Sequence, residues 1–254
     1  MRWIETALAL ALAGGVAQTA PSPRATGAAA PSPPRQGSLP GVAQQLPTMP
    51  TPVQPRVRPQ FVVVLDAAHG GSDTGARLQN GVLEKNITLE LERKLRSALG
   101  AQGIAVTMTR DADVDLPVLD RAQTANHAQA AACVVIHATA TGSGVHLFTS
   151  SLSPAAPTPV LPWQTAQAAH VTQSLRLESE IDAALAHAAV PVTLGRASVQ
   201  PMDSLACPAV AVELAPLVGG NTTTAQAISD EKYENLVVGA LAAALGSWRD
   251  DWKN

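Results

Sequence analysis

The stretch FVVVLD at residues 61–66 limits the fold of this chain more than any other feature of the sequence. It is an apolar run of strand length, rich in β-branched residues, and it leads directly into the glycine-rich loop AAHGGSDTGA. A run of this kind predicts a strand that is covered on both faces, as strands of parallel sheets are. The runs CVVIHA at 133–138 and PAVAVEL at 208–214 have the same character. The chain therefore needs a sheet that is buried between two other layers.

Amphipathic segments separate these strands. Apolar residues four apart predict a helix that starts at Asn86 as N-cap and stops before Gly103, and a proline in the first turn opens a second helix at 117. A long helix is predicted over 165–188, and a closing helix follows Ser229 as its N-cap. Further apolar runs predict strands at 104–109, 144–151 and 190–194. This alternation predicts an α/β sandwich with a largely parallel sheet.

The N-terminal residues differ in composition from the rest. Residues 1–20 place Arg2 before a short apolar stretch that ends in small residues, which predicts a secretory signal peptide, although Glu5 is unusual in one. Residues 21–60 are rich in Pro, Ala, Ser and Gln and predict a disordered tether. We therefore expect an exported chain with one folded domain over 61–254. We expect no stable membrane span after leader removal, because the apolar stretch is too short for a bilayer of about 30 Å.

Charge and cysteine content exclude some classes of protein. The net charge is −3 and the pI is near 6.0, and no basic stripe interleaved with aromatic residues is present, so nucleic acid is not expected as a partner. Cys133 and Cys207 have neither a CxxC spacing nor the density of a disulfide scaffold. Both head apolar runs, which favours two buried thiols, with a disulfide as the alternative in an exported chain.

Four residues with metal-binding or proton-transfer chemistry fall at the predicted carboxyl ends of strands or next to them. His69 follows the first strand, His137 ends the third and Glu213 ends the last, while Glu84 lies just ahead of the first helix. Ligands of open α/β sheets bind at this edge. Two imidazoles and a carboxylate are a common ligand set for catalytic zinc, and a further carboxylate can act as general base. Their spacing along the chain is too long for any local motif to prove the site.

Several ordered motifs across 61–245 resemble a known family. They are VVLDAAHGGSDTGA, GVLEKNITLELERKL, VTMTRDADVDLPVLDRAQTAN, VVIHATA followed by GVHLF, and CPAVAVEL. The chain resembles the zinc-dependent N-acetylmuramoyl-L-alanine amidases of the amidase-3 cell-wall hydrolase family. The resemblance implies a three-layer sandwich with a mostly parallel, twisted sheet of about six strands flanked by helices.

The resemblance also implies a site and a reaction. His69, Glu84 and His137 would hold one Zn²⁺ per chain, and Glu213 would be the catalytic carboxylate. The substrate would be peptidoglycan or muropeptides, cleaved at the amide between N-acetylmuramic acid and L-alanine, in the periplasm or outside the cell. We expect a monomer, and the resemblance identifies no activating protein.

The chain departs from the family pattern around the expected cleft. Ala68 stands where the family usually has Gly, Thr139 where it has Asn, His146 where it has an acid, and Ala215-Pro216 where it has Gly-Phe. His146 is a candidate for substrate contact. These departures leave two alternatives open: a weak or inactive peptidoglycan-binding or regulatory module on the same fold, and a zinc hydrolase of another peptide amide.

Overall fold

The structure is a computed structural model that describes residues 60–155, 162–218 and 225–252. The predicted signal peptide lies outside the described residues, and so does the predicted tether apart from its last residue. The strands are β1 (Val62–Ala67), β2 (Ala105–Met108), β3 (Ala132–Ala138), β4 (Val145–Ser150), β5 (Val192–Ala197), β6 (Ala209–Leu214), β7 (Leu217–Val218) and β8 (Ala225–Gln226). The helices are α1 (Glu84–Ala101), α2 (Val118–His127), α3 (Val171–His187) and α4 (Glu231–Trp252), with 3-10 turns at Gln79–Gly81, Trp163–Ala169 and Met202–Ser204.

Six strands form one sheet in the order β2-β1-β3-β6-β4-β5, and β7 pairs with β8 separately. All neighbours in the large sheet run parallel except β4 and β6, which are antiparallel. The prediction of an α/β fold with a mostly parallel six-stranded sheet flanked by helices is confirmed. Because β1, β3 and β6 are parallel neighbours, their carboxyl ends meet at one edge of the sheet.

One face of the sheet, which we call the helix-rich face, is covered by α1, α3 and α4. Strand residues such as Val63 and Leu65 pack there against leucine-rich helix stripes. The helix residues in this cluster are Ile87, Leu91, Leu95 and Leu99 from α1, Leu177, Ile181 and Leu185 from α3, and Tyr233, Val237, Val238, Ala240, Leu241, Ala242, Ala244, Leu245 and Trp248 from α4. The burial of these large side chains is the main hydrophobic contribution to the fold.

The opposite face, which we call the thin face, is covered by α2 and short turns. Val64 and Val135 point to this side, where they meet Ala122 and Ala125 of α2 and Met202 of the last 3-10 turn. The cluster is smaller, and four of its ten buried residues are alanines. Among the described residues, no helix is both long enough and apolar enough to span a membrane.

Two predicted helix caps are wrong. The first helix begins at Glu84, and Asn86 lies inside its first turn, where its N–H is bonded to the Leu83 carbonyl at 3.1 Å. The closing helix is capped by Asp230 rather than Ser229: Asp230 Oδ1 accepts the backbone N–H groups of Lys232 and Tyr233 at 3.0 and 3.1 Å. The cap lies three residues before the predicted one in the first helix, where it is Leu83, and one residue after it in the closing helix. Helix ends are commonly uncertain by a residue or two, so only the second shift is of the usual size.

The helix predicted over 165–188 is divided. A 3-10 turn at Trp163–Ala169 precedes α3, and the two meet at His170. The amide of the fully buried Gln167 donates to the carbonyls of Leu205 and Cys207 at 3.0 and 2.9 Å. Its side chain therefore satisfies the backbone of a turn on the thin face. With Gln167 held in this place, the regular helix starts only at Val171.

The interpretation of Cys133 and Cys207 as free thiols is wrong, because they form a disulfide. Cys133 lies opposite Ala209 in the pairing of β3 with β6, and Cys207 precedes Ala209 by two residues. The pairing of these strands brings the two Cα atoms to 6.1 Å, which is within the range that a disulfide bridges. The bond is buried and links β3 to the segment before β6 on the thin face.

Candidate metal centre at the carboxyl edge of the sheet

His69 lies in the loop after β1 with a left-handed backbone, φ +64°. Its Nε2 is 3.2 Å from Glu84 Oε2, and its Nδ1 is 2.9 Å from Asp73 Oδ2. The hydrogen bond with Glu84 raises the pKa of His69 above its usual value, with Asp73 adding to the effect. Gly75 permits the close approach of the His69 and Glu84 side chains, since a Cβ at this position would lie 2.6 Å from both Glu84 Oε2 and His69 Cδ2.

Glu84 is the centre of the cluster. Its carboxylate accepts hydrogen bonds from the backbone N–H groups of Ala76 and Ala138 at 2.8 and 3.1 Å, and from His137 Nδ1 at 2.9 Å. Burial alone would raise the pKa of Glu84, but the hydrogen bonds from His137 and His69 outweigh it and hold the pKa far below its usual value. The side chain is therefore an oriented carboxylate at neutral pH.

The three residues meet the chemical requirements of a metal site. His69, Glu84 and His137 each offer one ligand atom, and these atoms lie within 4.8 Å of one another. Within the part of the chain that the structure describes, the buried Nε2 of His137 has no hydrogen-bond partner. The field of Glu84 that favours a proton on His69 also favours a cation between the imidazoles. Two imidazoles and a carboxylate fit zinc among the common metals.

Glu213 lies next to this cluster on the neighbouring strand. It is the register partner of His137 in the parallel pair β3–β6 and of His146 in the antiparallel pair β6–β4. Register partners project from the same face of a sheet, so the three side chains form a row on the thin face, which we call the thin-face row. The structure thus brings all four predicted site residues to one edge, three of them in direct contact and Glu213 one strand away.

Two buried arginines hold the His69 loop, and neither was among the candidate residues identified from the sequence. Arg110 donates to the carbonyls of Ala67 and Ala68 at 2.9 and 3.1 Å. Arg121 donates to the carbonyls of Ala67 and His69, both at 2.6 Å. Three consecutive carbonyls are therefore fixed by the guanidinium groups of two arginines that are, as whole residues, 3% and 5% exposed. The available signal was that TRDAD and LDRAQ belong to a motif that the family resemblance had marked.

Asp66 belongs to the same network. Its Oδ1 is 3.0 Å from Arg121 and accepts the hydroxyl of Thr109 at 2.5 Å. Asp66 therefore supports the His69 loop indirectly, through its contact with Arg121. Among the described residues, its partners include neither the imidazole of His69 or His137 nor the backbone of the glycine-rich turn.

The fold and the cluster together define an α/β protein with a candidate metal centre at the carboxyl edge of its sheet. A sequence model described as N-acetylmuramoyl-L-alanine amidase matches residues 63–247, which is more than two thirds of the chain. The chain belongs to this N-acetylmuramoyl-L-alanine amidase family.

Curated relatives match over shorter stretches. The chain is 45% identical over 84 residues to the endolysin of Bacillus phage SPP1, which is 33% of this chain and 31% of that protein. It is 43% identical over 77 residues to N-acetylmuramoyl-L-alanine amidase AmiA of Escherichia coli K12, which is 30% of this chain and 27% of that protein. The matched stretch thus spans less than a third of each relative.

Solved structures extend the likeness to the whole domain. The catalytic domain of CwlV, an N-acetylmuramoyl-L-alanine amidase from Bacillus (Paenibacillus) polymyxa var. colistinus, has a TM-score of 0.59 at 21% identity, covering 75% of this chain and 99% of that chain. The amidase Ami1 from Mycobacterium smegmatis has a TM-score of 0.59 at 20% identity, covering 75% of this chain and 97% of that chain. At such identities the likeness shows the shared fold.

Proposed function

We propose that the chain is a zinc-dependent hydrolase of the amide between N-acetylmuramic acid and L-alanine in peptidoglycan. One observation carries the proposal: the cluster of His69, Glu84 and His137 lies one strand away from Glu213, which is His137's register partner. Three residues would hold the ion, and the fourth would handle protons. Membership of the amidase family supports the choice of substrate.

The residues of the chain divide the work. When bound, a zinc ion supplies Lewis acidity for activating water and polarising the scissile carbonyl. Glu213 takes a proton from the attacking water as general base and returns it to the departing amine as general acid. Its side chain is 29% exposed, so both water and substrate reach it. Glu84 carries the negative charge that offsets the cation.

The groove over the site supports a substrate with both polar and apolar parts. It is lined by His69 and His137 on the side of the cluster, and Leu116, Val118 and Val199 add apolar surface. Val118 is 40% exposed, so this surface is open to a ligand. A muropeptide, with its lactyl and alanyl methyl groups beside a polar amide, matches such a groove.

Export of the chain is part of the proposal. A buried disulfide forms and persists in oxidising compartments, and the disulfide between Cys133 and Cys207 therefore supports a periplasmic or extracellular location. Peptidoglycan is found in the same place. The predicted signal peptide at 1–20 would direct the chain there.

Digestion of purified muropeptides tests the function. The zinc-loaded chain should release free stem peptides, a chelator should abolish the release, and Glu213→Gln should lower kcat by about 10²–10⁴-fold. Retained activity in Glu213→Gln would remove Glu213 from the reaction. Binding of the zinc-loaded wild type to peptidoglycan without peptide release would favour the non-catalytic module, and cleavage of other peptide amides alone would favour a different substrate.

A further inference from the structure

The carboxylate of Glu213 has a hydrogen-bond partner on β4, on the side away from His137. His146 Nδ1 lies 2.7 Å from Glu213 Oε2, across the antiparallel pairing of β4 with β6. Within the described ranges, this is the only hydrogen bond made by the Glu213 carboxylate. A carboxylate oxygen only accepts, so the Nδ1–H of His146 is the donor.

The imidazole of His146 has little room to move. A Cβ added to Gly142, whose φ is +88°, would lie 2.4 Å from both Cε1 and Nε2 of the ring, so the loop between β3 and β4 passes directly against the imidazole. On the strand itself, Phe148 meets the ring edge to face, with centroids 6.5 Å apart. The side chain of His146 is only 15% exposed. The donor therefore has a fixed position.

Glu213 lies between His146 and the candidate metal centre in the thin-face row. With Oε2 engaged by His146, Oε1 has no hydrogen-bond partner among the described residues and is available on the side of the sheet where His137 lies. A flexible glutamate without such a partner would sample several rotamers, which place the carboxylate in different positions relative to the cluster. Proton transfer needs the acceptor within hydrogen-bond reach of the reacting water, so orientation affects the rate directly.

We propose that His146 is a positioning residue, which fixes the Glu213 carboxylate through its Nδ1–H so that Oε1 carries the proton during amide hydrolysis. This inference rests on the proposed function. In each turnover Oε1 accepts one proton from water and gives it to the leaving amine, while His146 keeps its Nδ1–H. The proposal replaces the expectation that His146 contacts substrate: it acts through Glu213.

Three substitutions separate the donor from the shape of the side chain. In His146→Asn the amide nitrogen takes about the place of Nδ1, in His146→Leu the same branched shape lacks a donor, and in His146→Gln the amide lies further out, near the place of Nε2. We expect His146→Asn to retain most of kcat. We expect His146→Leu and His146→Gln to lose about 10–100-fold in kcat. KM and zinc content should change little in all three, since none of them touches the cluster.

Crystal structures of the zinc-loaded wild type, His146→Asn and His146→Leu complete the test without relying on activity. The Glu213 carboxylate should occupy one conformer in the first two and several, or a displaced one, in His146→Leu. Equal kcat in His146→Leu and wild type, an equal loss in His146→Asn and His146→Leu, or an undisturbed Glu213 in His146→Leu would overturn the proposal. A zinc-loaded wild type that releases no stem peptide would contradict the proposed function and the catalytic role of the pair, while the crystallographic comparison still decides whether His146 positions Glu213.

Discussion

The helix-rich face and the thin face of the sheet are stabilised in different ways. Three long helices pack leucines, isoleucines and valines onto the first. The second has one short helix and irregular segments, and it combines alanines with a disulfide and a buried pair of Asp66 with Arg121. The thin-face row projects from this second side. The edge that holds the candidate site stays open because the elements beneath it are small, and covalent and charged contacts replace part of the missing apolar packing.

The largest loss of stability is expected from Arg121→Met, which would leave Asp66 buried without its cation. Loss of one partner of a buried ion pair costs about 3–5 kcal/mol. Denaturant titration should show a fall of this size in the free energy of unfolding, and Asp66→Asn together with Arg121→Met should recover part of it. Arg249→Ala breaks an exposed ion pair with Asp250 and should cost less than about 1 kcal/mol. An unfolding curve of Arg121→Met that matches wild type would show that charges do not stabilise the thin face.

A matched pair of leucines compares apolar packing on the two faces. Leu95 on the helix-rich face and Leu205 on the thin face are 0% and 1% exposed. Leu95→Ala should lower the free energy of unfolding by about 2–5 kcal/mol, because a cavity between a long helix and the sheet relaxes little. Leu205→Ala should cost less, since the short segment around it can close the space. A larger loss at Leu205 would reverse the comparison.

The disulfide provides the next test. Its cysteines are 74 residues apart, and a disulfide stabilises the native state by about 2–4 kcal/mol, mainly by constraining the unfolded chain. Reduction, or the double substitution Cys133→Ala and Cys207→Ala, should lower the free energy of unfolding by that amount. The reduced chain should still hydrolyse substrate while folded, because the bond lies below the site. If reduction leaves the unfolding midpoint unchanged, the disulfide is not a support of the thin face.

Glu92 of α1 provides the one test that depends on pH. Burial, with a contribution from the charge of Asp66, raises the pKa of Glu92 to about 9. An unfolded glutamate titrates near pH 4.3, so the stability present below about pH 4.3 is lost as the pH rises toward 9, at about 1.4 kcal/mol per pH unit. Glu92→Gln should escape this loss. The free energy of unfolding of the metal-free proteins, measured at about pH 5 and about pH 8, should therefore fall more for wild type than for Glu92→Gln. Parallel pH dependences of the two proteins would mean that Glu92 is ionised in the fold.

The helix-rich face could be predicted from the sequence almost completely. Leu91, Leu95 and Leu99 recur every four residues, and this periodicity alone defines a helix and its buried side. The unbroken runs around Val63 and Val134 likewise predicted the central strands. The residues that a helix buries recur at a regular spacing along the chain, so a short stretch of sequence is enough to identify them.

The thin face could not be predicted in the same way. Its contacts join residues that are far apart along the chain, as in the bond between Cys133 and Cys207 and the hydrogen bonds of Gln167. The apolar residues around each cysteine suggested buried free thiols, but the pairing of β3 with β6 brings the two cysteines together in a disulfide. Family motifs and strand ends marked the candidate site residues in the sequence, whereas the contacts of Arg121 and His146 became visible only through the distances between strands.

Zinc titration into the metal-free protein tests most directly whether His69, Glu84 and His137 form a metal centre. The wild type should bind one Zn²⁺ per chain. Glu84→Ala removes the carboxylate that both imidazoles contact, and it should weaken binding by more than about 100-fold. Glu213→Gln is the matched control and should bind zinc as wild type does. Equal zinc affinity in Glu84→Ala and wild type would contradict the account.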